Sequence, residues 1–141
     1  MDTQNRNITE DYVSLEIAKL LKEKGFNEVC RYEYGVPEVD GGYVLQEFYQ
    51  PIQNCELIDT AYTAPTLQMA CKWLREVHDI CVYCYNTNSR CKQYGKYEAG
   101  ASWISDDVSV IFHNSAHSLY ADTYEQAVEE VLKYCLINLI D

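Results

Sequence analysis

At 141 residues, 48% of them hydrophobic and 23% charged, the chain has the size and composition of one globular domain, able to bury roughly two thirds of the surface its unfolded form exposes. Such a composition suggests neither disorder nor a membrane protein, and no apolar run approaches the ~18 residues of a membrane span. Eleven basic against 22 acidic residues leave a formal charge of −11, spread along the chain; this repels phosphate backbones and anionic lipids and argues against direct nucleic-acid or membrane binding.

Residues 1–7 are polar and lack the basic and apolar regions of a signal peptide, so a cytoplasmic location is expected. Thr9 offers an N-cap, Glu10 and Asp11 suit a first helical turn, and Val13, Ile17, Leu20 and Leu21 recur on one face. With Gly25 placed for a left-handed residue and Phe26 as its hydrophobic contact, the spacing predicts a helix over Glu10 to Lys24. Val29 to Tyr34 and Tyr43 to Tyr49 read as an antiparallel hairpin around the Asp40-Gly41-Gly42 turn signal, with Pro51 ending the second strand. A short further strand is placed near Cys55 to Ile58.

The stretch Ala64 to Asn86 organises the rest. Pro65 suits a first helical turn, and Leu67, Ala70, Cys71, Leu74 and Val77 recur at the spacing of one helix face, with Met69 and Trp73 on its shoulder. The period then changes to two: Ile80, Val82 and Cys84 alternate with Cys81, Tyr83 and Tyr85, and neither set is charged. A helix feeding almost without a loop into a central strand is therefore expected. After the turn cluster Asn86 to Ser89, strands are predicted near Lys92 to Glu98 and Val108 to His113. Thr123 and Gln126, in capping-box register, open a last helix whose core face is Tyr124, Val128, Val131, Leu132, Cys135 and Leu139. The order α-β-β-α-β-β-β-α predicts one α+β domain over residues 1–141, a two-layer, largely antiparallel sheet with three helices packed on one face. From Pro65 onward the order is also that of double-stranded RNA-binding domains, but 6 basic against 10 acidic residues oppose that analogy.

Seven cysteines in a chain without a leader pattern read as free thiols rather than disulfides. Cys81-Val82-Tyr83-Cys84 has redox spacing, yet in a strand its two thiols point to opposite faces. Cys81, Cys84 and Cys91 with His113 or His117 have the right donors for zinc, but structural sites pair two such knuckles and only one C-x-x-C exists. No G-x-S-x-G, P-loop, G-x-G-x-x-G or H-E-x-x-H occurs, so no catalytic residue and no cofactor are assigned.

Tyrosine is the over-used residue, with 13 copies against 3 Phe and 2 Trp. The pairs Tyr32 with Tyr34 and Tyr83 with Tyr85 each occupy one sheet face, an amphipathic aromatic surface of the kind binding interfaces use; the same spacing also suits cross-strand packing beneath the helices. Three segments, Ile8 to Phe26, Ala64 to His78 and Asp122 to Ile140, resemble those of an uncharacterised family of small hypothetical proteins encoded in prophages and mobile elements of Bacteroides and related gut bacteria. That resemblance implies an accessory cytoplasmic protein in a bacterial host, and brings with it no activity, ligand or site residue. The expected function is a binding module with an open tyrosine-bearing sheet face, docking a protein partner or a second copy as a homodimer. An acidic nucleic-acid mimic acting on a host DNA-binding protein is the alternative, and a Cys/His zinc site or Cys-dependent enzyme comes third.

Overall fold

The computed structural model describes residues 8–36, 42–87, 94–104 and 119–141. Three helices and two small antiparallel sheets form an α+β fold in the order α1 (Leu15–Glu23), β1 (Cys30–Gly35), β2 (Val44–Ile52), a 3-10 turn (Asn54–Glu56), β3 (Tyr62–Thr63), α2 (Leu67–His78), β4 (Ile80–Asn86), β5 (Tyr97–Trp103), β6 (Leu119–Ala121) and α3 (Tyr124–Asn138). The expected single sheet is divided in two, ordered β2-β1-β3 and β4-β5-β6. The division follows from what β1 pairs with. Its second neighbour is the two-residue β3, after which the chain turns into α2, and among the described residues β4 pairs with β5 alone.

Helix α1 begins later than the capping signal at Thr9 implies. Residues 11–13 run extended against 65–67 instead: Tyr12 forms an isolated antiparallel bridge with Thr66, Val13 N–H donates to Pro65 O at 3.0 Å, and Leu67 N–H donates to Asp11 O at 2.9 Å. Ser14 is the actual N-cap. The far end matches the sequence pattern: Gly25 sits at φ 93°, and the N–H groups of Gly25 and Phe26 reach back to Lys22 O and Leu21 O, which closes the helix in a Schellman turn.

In α2, Thr66 caps the helix through a 3.1 Å bond from Met69 N–H, so Pro65 precedes the cap rather than filling the first turn. Leu67, Ala70, Trp73 and Leu74 are buried, whereas Val77 is 54% exposed; the core face is turned toward Trp73, whose ring meets Phe26 edge-on at 5.4 Å. A single left-handed residue, Asp79, joins α2 to β4. Thr123 caps α3, which buries Ala127, Val128, Val131, Leu132, Cys135 and Leu136 against the second sheet and α1. Ion pairing between Lys133 and Glu16 at 2.9 Å and a bond from Ser14 N–H to Glu129 Oε1 at 2.8 Å tie α1 to α3.

The strand expected at Cys55 to Ile58 is replaced by the 3-10 turn, where Asn54 is buried because its amide donates to Phe26 O and accepts from Thr63 N–H. Pro51 does not stop β2. It lies in a bulge of four residues, 48–51, opposite Arg31, on a sheet edge where a missing N–H breaks no ladder. The fifth strand starts at Tyr97, and the strand expected at Val108 to His113 lies outside the described residues. Among the described residues no helix is long and apolar enough to cross a membrane.

Candidate functional site

The β4–β5 register sorts the second sheet into two faces. Ile80, Val82 and Cys84 lie opposite Trp103, Ala101 and Ala99, and Ala99 and Ala101 are almost fully buried because α3 lies close above them. Small residues on β5 are what permit that approach. The outer face carries Cys81 with Ser102, Tyr83 with Gly100, and Tyr85 with Glu98, and β6 extends the last row by setting Tyr120 beside Glu98. A cross-strand row Tyr85–Glu98–Tyr120 results, with one carboxylate between two phenols. Tyr83 and Tyr85 stack at 6.2 Å with an interplanar angle of 12°, and Tyr94 leans on Tyr120 at 5.4 Å. Tyr85 is 50% and Tyr94 61% exposed. Among the described residues no lysine or arginine pairs with Glu98.

Gly100 sets the geometry of this face. The Tyr83 ring crosses directly above it, so that a Cβ there would lie 2.6 Å from the Tyr83 hydroxyl oxygen. Burial raises the Tyr83 phenol above its ordinary pKa, and the neighbouring Glu98 carboxylate adds to the rise. The phenol therefore stays a neutral hydrogen-bonding group at physiological pH.

The other tyrosine pair has a different place. Tyr32 and Tyr34 belong to the first sheet and pack against the hydrophobic core; Tyr32 meets the Tyr12 ring at 4.3 Å, and the Tyr34 hydroxyl donates to Val13 O at 2.7 Å. The four tyrosines singled out in the sequence thus do not form one surface. Glu98, Gly100 and Tyr120 were not visible as site residues, because only the β5 and β6 registers bring them beside Tyr85. Tyr97, one residue before Glu98, turns inward to meet Tyr124 edge-on at 5.9 Å.

Cys81 and Cys84 sit on opposite faces of β4. Among the described residues no group of three His, Cys, Asp or Glu is placed to hold a metal ion; Cys91, His113 and His117 lie outside those residues. Burial pushes the thiol of Cys30 up to about 11 and those of Cys71 and Cys135 up to about 12, so all three are protonated and poor nucleophiles near neutrality. Cys84 is raised as well, by burial and then by Glu125. Comparison with known protein families, curated proteins and solved structures finds no match.

Proposed function

We propose that the chain is a non-catalytic binding module, an accessory cytoplasmic protein of a bacterial mobile element, which docks a protein partner on the outer face of β4–β5–β6. The observation that carries this reading is the row Tyr85–Glu98–Tyr120, flanked by Tyr83 and Tyr94, on the side of the sheet opposite α2 and α3. Stiff amphipathic rings give contact area at little entropic cost and stand at the centre of many interfaces. The resemblance of the three helical segments supports the bacterial setting.

Capture of partners from a host lysate by wild type and by a Tyr85→Ser, Tyr94→Ser variant, at low and at high salt, tests this reading. Both side chains are half exposed or more, so the variant should fold as wild type does. A partner held through aromatic contact is retained at high salt and lost in the variant, whereas one held by surface charge is released by salt from both. Equal capture by the two proteins would place the site elsewhere.

A further inference from the structure

One side of α2 passes from core to solvent along its length. Leu67, Cys71 and Arg75 follow one another four residues apart, with Gln68 beside them, and so run up the helix from its first turn to its last. Leu67 is buried, Cys71 half-buried and the Arg75 side chain 43% exposed. Facing this stripe are Tyr124 and Val128, four residues apart on α3, and Val82 from the side of β4 that carries Ile80 and Cys84. Between the three elements lies a cleft of about 300 Å³ that these side chains line.

Small-molecule sites are concave and mostly apolar, with a few polar groups that fix the orientation of the ligand. The cleft has that make-up. Leu67, Cys71, Val82 and Val128 form an apolar floor, and Tyr124 supplies an aromatic wall that an edge-on contact with Tyr97 at 5.9 Å holds in place. The volume is about twice the ~150 Å³ cavity that accepts one benzene ring, which leaves room for a ring with a short polar arm. Among the described residues that line it, Arg75 alone carries a charge. Its contact with Glu76 is 4.0 Å long and joins neighbours that do not face each other on a helix, so the guanidinium keeps donors for a ligand.

The sign of the charge felt inside the cleft differs from that of the whole chain. Burial raises the Cys71 thiol, and the Arg75 guanidinium pulls it back down against smaller upward pushes from the Cys81 and Cys84 thiols; among the described residues no carboxylate acts on it. A net charge of −11 therefore does not reach the floor of the cleft as a negative field, since charges elsewhere on the surface are screened over about 8 Å at physiological ionic strength. We propose that the cleft binds a small aromatic monocarboxylate, its ring on the apolar floor beside Tyr124 and its carboxylate on the Arg75 guanidinium. The inference is independent of the outer-face reading, because β4 contributes Val82, on the side of the sheet that faces the helices.

Titration of the full chain with phenylpropionate, followed by amide nuclear magnetic resonance, tests it. Saturable shifts are expected at Cys71, Val82 and Val128. Phenylpropylamine keeps the ring and reverses the charge, whereas butanoate keeps the charge and lacks the ring, so each should bind at least about tenfold more weakly. Arg75→Gln alters a surface side chain and should leave the fold intact; it is expected to weaken phenylpropionate by about tenfold or more and to abolish the preference for the acid over the amine. Failure of phenylpropionate to saturate wild type at millimolar concentration overturns the proposal. Equal affinity for acid and amine, or an affinity unchanged in Arg75→Gln, overturns it as well, because the carboxylate then has no anchor. Shifts centred on Tyr85 and Glu98 instead of Cys71 and Val128 would also overturn it and place the binding on the outer face.

Discussion

Glycine 100 is where the shape of the outer face and the stability of the sheet part company. A methyl group at this position meets the far end of the Tyr83 ring, not backbone, so the ring can swing aside while the β4–β5 ladder stays closed. Gly100→Ala is therefore expected to change stability by less than about 1 kcal/mol, since alanine also relieves the entropic disadvantage of glycine in a strand. The same substitution should break the Tyr83–Tyr85 stack, seen as a changed near-ultraviolet tyrosine signal, and should weaken partner capture. A large loss of stability would mean that Tyr83 is held as rigidly as a core residue. The buried thiols make a second residue-level prediction. Cys71 and Cys135 have folded-state pKa values raised from 9.0 to about 12, so the unfolded chain gives up its thiol protons first as pH rises. Their stabilising contribution is complete below about pH 9 and is lost as pH climbs toward 12, at about 1.4 kcal/mol per pH unit for each thiol. Urea unfolding from pH 8 to 11 should show this decline, with a shallower slope in Cys135→Ala; an equal slope in the two proteins would remove Cys135 as a contributor.

Among the elements, α2 packs on β4 through the buried side chains of Leu67, Ala70, Trp73 and Leu74. Leu74 is fully buried in the main core, and Leu74→Ala should cost about 2–5 kcal/mol through the cavity it leaves, measured by denaturant unfolding. Val77 has the same spacing signature in the sequence but is 54% exposed, so Val77→Ala should stay within about 0.5 kcal/mol. The reversed order of these two effects would place the wrong face of α2 inward. The contrast also shows what local pattern can carry. Periodicity located α2, the abrupt change of period located β4, and the near absence of a loop between them followed from both, realised in the structure by the single residue Asp79. Yet periodicity put Val77 on the core face with Trp73 on its shoulder, whereas the structure leaves Val77 54% exposed and buries Trp73 against Phe26. The start of α1 was hidden for a related reason, because Tyr12 pairs with Thr66, 54 positions away, and that bridge overrides the local cap at Thr9. The fifth strand was misplaced since Tyr97–Trp103 contains Ala, Gly and Ala, poor strand formers selected by the close approach of α3 and by the Tyr83 ring. At the candidate site, the two-residue spacing of Tyr83 and Tyr85 was legible, whereas Glu98 and Tyr120 join them only through cross-strand register, which no local window contains.

For the whole molecule the governing quantity is charge. Twenty-two carboxylates face 11 basic side chains, and among the described residues only two ion pairs form: Lys133 with Glu16 at 2.9 Å, and Arg75 with Glu76 at 4.0 Å. Both are surface pairs, and pairs of that kind contribute at most about 1 kcal/mol each. Like-charge repulsion over the surface therefore exceeds local attraction, and it works against the compact state more than against the expanded unfolded chain. Sodium chloride at fixed pH shortens the screening length from about 10 Å at 0.1 M to about 3 Å at 1 M, which weakens that repulsion while leaving the hydrophobic contacts between α3 and the second sheet in place. The midpoint of thermal unfolding should accordingly rise with salt. A gain of about 1 kcal/mol corresponds to roughly 3–5 °C for a chain of this length. Calorimetry across that salt range checks this: a midpoint independent of salt would mean that the carboxylates are too far apart, or already too well solvated, to oppose folding.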